Sequence, residues 1–183
     1  TDASNLNATI VISGSYTTKA DYINAWGAIG TQTTLGYSYF RDTATIKSGY
    51  DLVVENGATV SGRYSTKATN NEWGTLASQT TIGLSFYRNS TKLLDGDVTY
   101  DAKSLVGAVT VSGSYTTSVT YVNEWGAVGT QSTEGYSYFR DKASLDTPQG
   151  LKVTNGATIS GRYITDAEND EWGTLGTQAT IGV

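Results

Sequence analysis

The chain contains no histidine, no cysteine, no methionine and a single proline in 183 residues. Without histidine, the side chain that most often moves protons near neutral pH is missing. Ser-His-Asp and Cys-His catalytic arrangements are therefore impossible, as are histidine-containing metal sites. Without cysteine there is no disulfide, no thiolate zinc site and no thiol nucleophile. Positive charge is also scarce, with 12 Lys and Arg against 17 Asp and Glu, a net charge of −5 and no basic cluster. Nucleic acid is not expected as a partner, and an anionic membrane surface is disfavoured. No run of about 18 apolar residues occurs, so a transmembrane helix is excluded. The sequence opens at Thr1; removal of an initiator Met alone would account for that, but removal of a signal peptide is expected from the composition, and with it an extracellular or cell-surface location.

Hydrophobic content is 38%, below the roughly 45–50% usual in a globular domain. The difference is made up by Gly, Thr, Ser and Tyr. With 21 Gly, 13 Tyr and one Pro the chain is neither collagen-like nor a Pro-rich linker. Its Thr, Val, Ile and aromatic residues favour strands.

The chain is also written twice. Residues 1–84 align with residues 100–183 at a constant offset of 99, without insertion or deletion, and 48 of the 84 positions are identical. Each copy splits again. Ser-Gly-x-Tyr recurs at Ser13–Tyr16, Ser61–Tyr64, Ser112–Tyr115 and Ser160–Tyr163. A Trp-Gly follows each time, at Trp26, Trp73, Trp125 and Trp172, and six residues later a Gln, at Gln32, Gln79, Gln131 and Gln178. A period this regular decides architecture before any local reading. The organisation expected is a first copy over 1–99 (units 1–56 and 57–99) and a second over 100–183 (units 100–155 and 156–183). Four thin units should stack into one body.

The dominant side-chain period is two. In 51–64, Leu52, Val54, Ala58, Val60, Gly62 and Tyr64 alternate with Val53, Glu55, Thr59, Ser61 and Arg63. In 72–88, Leu76, Ile82, Leu84 and Phe86 oppose Thr75, Gln79, Thr81 and Ser85. This is the signature of half-buried strands, and no stretch sustains helical spacing. The fold class expected is all-β, an internally duplicated antiparallel sheet of at least eight strands, as a sandwich, a barrel or stacked hairpins. The polar stretches Lys67–Asn71 and Asp166–Asp170 read as hairpin links. Asn56-Gly57 and Asn155-Gly156 read as tight turns or bulges.

No catalytic residue is identified. Acidic positions differ between copies, Glu55 aligning with Thr154, Asp21 with Thr120 and Asp51 with Gly150, so no carboxylate pair stands out. Neither enzymatic activity nor a cofactor is expected. The four Trp and four Gln are candidates for stacking between units or for holding sugar rings. Arg41 and Arg140, at strand ends after aromatic runs, are candidates for ring stacking, ion pairing or sugar contact. Asp166, Glu168 and Asp170 form a weak oxygen-ligand set for calcium.

At its ends the second copy stops where the first continues, at Val183, which aligns with Leu84. The terminal segments, with Thr1, Asp2 and Leu6 at one end and Thr177, Ile181 and Val183 at the other, are expected to join identical molecules head to tail by completing an open strand edge. The function expected is that of an exported, self-assembling subunit of a filament, surface layer or adhesive matrix, with itself as partner. A multivalent carbohydrate-binding protein is the alternative. An outer-membrane β-barrel, which shares the alternation and the Tyr and Trp content, is a third reading.

Overall fold

The structure, a computed structural model, describes residues 11–40, 58–88, 92–93, 105–106, 109–140, 143–146, 150–154 and 157–183. These residues form strands and no helix: β1 (Gly14–Ile23), β2 (Ile29–Tyr39), β3 (Val60–Asn70), β4 (Leu76–Phe86), β5 (Lys92–Leu93), β6 (Leu105–Val106), β7 (Val111–Val122), β8 (Val128–Tyr138), β9 (Ile159–Asn169) and β10 (Leu175–Gly182). Eight strands make one antiparallel sheet in the order β1-β2-β3-β4-β7-β8-β9-β10, and the short β5 and β6 pair with each other. Every neighbour in the large sheet is the next long strand along the chain. The sheet is open, with β1 and β10 as its edges, so the expected sandwich or barrel is not what the described residues form. Among the described residues β10 does not pair with β1. From β2 to β4 the strands begin 99 residues before β8 to β10, and β1 begins 97 residues before β7. Pairing of β4 with β7, from Thr80↔Ser118 to Phe86↔Val111, carries a single sheet across both halves.

Register places like residues in rows across the strands. Thr18, Thr34, Thr66, Thr81, Thr117, Thr133, Thr165 and Thr180 are successive cross-strand partners, one from each long strand. Within each hairpin the two hydroxyls of this row share a hydrogen bond of 2.8–2.9 Å. On the same face, one step away, Tyr and Gly alternate: Tyr16, Gly36, Tyr64, Gly83, Tyr115, Gly135, Tyr163, Gly182. The Tyr64, Tyr115 and Tyr163 rings lean across onto Gly36, Gly83 and Gly135, where any side chain would collide with them at 2.2 Å. A ring laid over a neighbouring glycine covers backbone that would otherwise be bare.

The recurring Ser-Gly-x-Tyr motif has a structural meaning in this register. Tyr39 pairs with Val60 but Ser38 with Gly62, so Ser61 is an extra residue on β3. The same irregularity leaves Ser112 and Ser160 as the extra residues opposite β4 and β8. The glycine that follows permits close strand approach: a Cβ at Gly62, Gly113 or Gly161 would stand 3.0–3.1 Å from a carbonyl oxygen next door. Each bulge reverses the alternation. This corrects the inward and outward faces read from sequence. Val60 is fully buried, but so is Arg63, at 1% exposure, while Tyr64 lies on the opposite, open face.

The core is confined to one face and to the end of the sheet remote from the Trp-Gly pairs. It comprises Leu35, Tyr37, Tyr39, Ala58, Val60, Leu84, Phe86, Val111, Tyr138 and Ala143. The segment after β8 lies across it: the Val111 N–H donates to the Ala143 carbonyl, and the Arg63 guanidinium donates to the Gly150 carbonyl. Burial pulls the Arg63 pKa down, and Tyr37 and Asp146 oppose that pull. Tyr39 and Tyr138 bond to Ser15 and Ser114 through their hydroxyls, at 2.6 and 2.8 Å, and burial raises the Tyr39 pKa.

Candidate functional site

Three places bring the sequence candidates together: the turns at one end of the sheet, the open face, and the two edges. The turns come from local chemistry. In each, an Asn or Asp opens a three-residue loop closed by a glycine at φ 80–83°. For Asn71, the side-chain Oδ1 accepts the N–H groups of Trp73 and Thr75, both at 3.0 Å, and the Gly74 N–H donates to the Asn71 carbonyl. Asn24, Asn123 and Asp170 repeat the arrangement. This is the type I turn with a left-handed third residue that three-residue hairpins use, and it accounts for the Gly after each Trp.

The turn therefore falls later than the polar links read from sequence. Lys67–Asn70 belongs to β3 and Asp166–Asn169 to β9, and the chain reverses at Asn71 and Asp170. The four Trp rings project from the turn tips and are 80–90% exposed. Neighbouring turns are tied together: Asn24 Nδ2 donates to the Glu72 carbonyl and Asn123 Nδ2 to the Glu171 carbonyl, both at 2.7 Å. The result is a ridge of exposed indoles along one margin of the sheet.

The four Gln are not cross-strand neighbours of one another. Gln32 stands between Ala20 and Ala68, Gln79 pairs with Ala68, Gln131 lies between Val119 and Ala167, and Gln178 pairs with Ala167. A strand bearing a small or apolar residue thus separates each Gln from the next. Arg140 sits over the Tyr87 ring at 5.5 Å, and Arg88 over the Phe40 ring at 5.4 Å, within cation–π range. Arg41 lies outside the described residues, as do Thr1, Asp2, Leu6 and both Asn-Gly pairs.

Asp166 and Glu168 share one face of β9, while Asp170 is occupied in capping the last turn. No group of three acidic side chains suited to a metal occurs among the described residues.

One cluster escaped the sequence reading. Glu134 Oε1 accepts from the Tyr136 hydroxyl at 2.6 Å and from Arg162 Nε at 2.8 Å, and Arg162 lies over the Tyr136 ring at 5.8 Å. The hydrogen bond from Tyr136, then that from Arg162, holds the Glu134 carboxyl below its ordinary value. The counterparts 99 residues earlier are Leu35, Tyr37 and Arg63, all buried. The available signal was that Glu replaces Leu at position 134, one copy's core becoming the other's ion pair.

The edges complete the picture. At the β4–β7 junction Tyr115 partners Gly83, with its ring laid on that glycine. At the β1 edge, Tyr16 has a partner on one side only and is 70% exposed. At the β10 edge, Gly182 meets the Cβ and Cα of its partner Tyr163 but no ring. Ile181 is 76% exposed, against 36% for Ile82 at the same place in β4. No family model matches this chain, and it finds no match among curated proteins or among solved structures.

Proposed function

We propose that this protein is a self-assembling structural subunit whose molecules join edge to edge, β10 of one against β1 of the next, into a continuous sheet. The observation that carries the reading is the complementarity of the two edges: Tyr16 has no glycine to cover, and Gly182 has no ring above it. The junction inside the chain supplies the register. Shifting the β4–β7 pairs by 99 residues sets Ala179 against Lys19, Thr180 against Thr18, Ile181 against Thr17 and Gly182 against Tyr16. The threonine row then runs on from molecule to molecule. An exposed strand edge is itself a template for such pairing, and a head-to-tail contact that does not close on itself gives an open filament. A filament, surface layer or adhesive matrix outside the cell is the setting this proposal envisages, with the 99-residue repeat as its internal module.

The test is sedimentation velocity over a concentration series, with negative-stain electron microscopy. Assembly that grows with concentration and is lost in Tyr16→Ser and Gly182→Val is the expected result. A wild-type chain that stays monomeric at every concentration would sink the proposal. A second reading, multivalent carbohydrate binding through the Trp ridge, is favoured by the 80–90% exposure of the four indoles. Quenching of Trp fluorescence by a glycan panel, in the absence of polymer, is its signature.

A further inference from the structure

The open face of the sheet carries no charge. All the charged side chains on the eight long strands stand on the other face: Lys19 and Asp21, Arg63 and Lys67, Glu134, and Arg162, Asp166 and Glu168. Segregation this complete is not needed for the fold, because the charged face is also the face that buries the core. What the open face presents is a set of neutral rows. Exposed Ser38, Ser85 and Ser137 alternate with glycines, then come the Tyr–Gly row, the threonine row and the row of Gln with Ala or Val.

Tyr64, Tyr115 and Tyr163 recur every second strand, a spacing of about 9.5 Å. Each is fixed in place by the glycine beneath it, so little side-chain entropy remains to be lost on binding. An open groove runs between Tyr115 and Tyr163, floored by Gly113 and flanked by Ser85 and Ser137. Burial, with the neighbouring Tyr163 and Tyr64, raises the Tyr115 pKa.

We infer that this face binds an extended neutral polysaccharide, laid across the strands along the tyrosine row. The chemistry fits at each level. Aromatic rings accept the apolar faces of sugar rings, and the Ser and Thr rows on either side offer hydroxyl donors and acceptors to sugar hydroxyls. The absence of charge matches a neutral polymer. A polyanion would surrender solvation here and meet no cation in return. The site differs from the Trp ridge, which lies at the sheet margin, and it does not depend on edge pairing.

The experiment is a depletion assay in which the full chain is sedimented with microcrystalline cellulose or chitin, and alginate serves as the charged comparison. Binding to at least one neutral polymer and not to alginate is expected. Ser85→Arg/Ser137→Arg places two cations at exposed positions without touching a Tyr–Gly contact, and should lower binding at least tenfold. Trp73→Ala/Trp125→Ala should retain it. As a measurement needing no variant, amide shifts on titration with chitohexaose or cellohexaose should fall on β4, β7, β8 and β9 around Tyr115 and Tyr163. Failure to bind either neutral polymer overturns the inference. So does unchanged binding in the arginine variant, or shifts confined to the turn indoles, which would transfer the site to the Trp ridge.

Discussion

At the scale of single residues, contact between a ring and a glycine decides what the open face tolerates. A methyl group at Gly135 would stand 2.2 Å from the Tyr163 ring. Gly135→Ala should therefore cost about 1–3 kcal/mol as an overpacking substitution. In a Tyr163→Ala background the same change should cost much less, because the ring has gone. A double-mutant cycle by urea unfolding measures this, and equal costs in both backgrounds would refute the assignment. Glu134 gives a pH test on the other face. Its carboxyl is held below its ordinary value of 4.5 by Tyr136 and Arg162. A depressed carboxylate contributes stability that is present above its unfolded value and lost as pH falls through the folded one. Unfolding midpoints of the wild type and Glu134→Gln should thus differ near neutrality and converge as pH falls below 4.5 and through the folded value. The Glu134 side chain is only partly covered, so the difference will be small and screened by salt.

Elements show both what sequence conveys and what it conceals. The alternation in 72–88 and the recurrence of Trp-Gly were sufficient for an all-β chain of eight or more strands, and eight long strands are what form. Two things were hidden. The polar cluster Lys67–Asn71 resembles a loop by composition, yet the residue that sets the turn is Gly74, whose φ of 81° few other residues adopt. The extra Ser61 inverts the alternation, so Arg63 goes into the core and Tyr64 onto the open face, and no count of every second residue reveals a bulge. The Tyr–Gly row was invisible for a different reason, since it exists only once the register between strands is known.

The turn chemistry makes a contrast that is easy to measure. Asn71→Ala removes the acceptor for two backbone N–H groups, at about 1 kcal/mol. Trp73→Ala removes a ring that is 80% exposed and should shift stability by no more than about 0.5 kcal/mol. A larger loss for Trp73 than for Asn71 would mean that the indole packs against the sheet.

At the scale of the whole molecule, a core at one end of a single sheet implies uneven stability along every strand. Leu35, Tyr37, Val60, Leu84 and Val111 are buried towards the connections. Towards the turns, Lys19, Lys67, Thr80 and Asp166 are exposed, and the described residues bury little there besides Gly30 and Gly129 under the Tyr22 and Tyr121 rings. Local opening is cheapest where few apolar contacts must be broken. Amide hydrogen exchange should therefore form a gradient within single strands, with Leu84 and Tyr37 slowest and the amides near Lys67 and Thr31 faster. Edge assembly makes a separate claim on the same data. If β10 pairs with β1 of the next molecule, the outward amides of Thr177–Gly182 and Gly14–Lys19 should gain protection as concentration rises, while the gradient inside β3 and β4 stays fixed. Exchange at the two edges that does not change with concentration would mean that the edges remain unpaired. Uniform exchange along β3 and β4 would instead contradict the one-sided core.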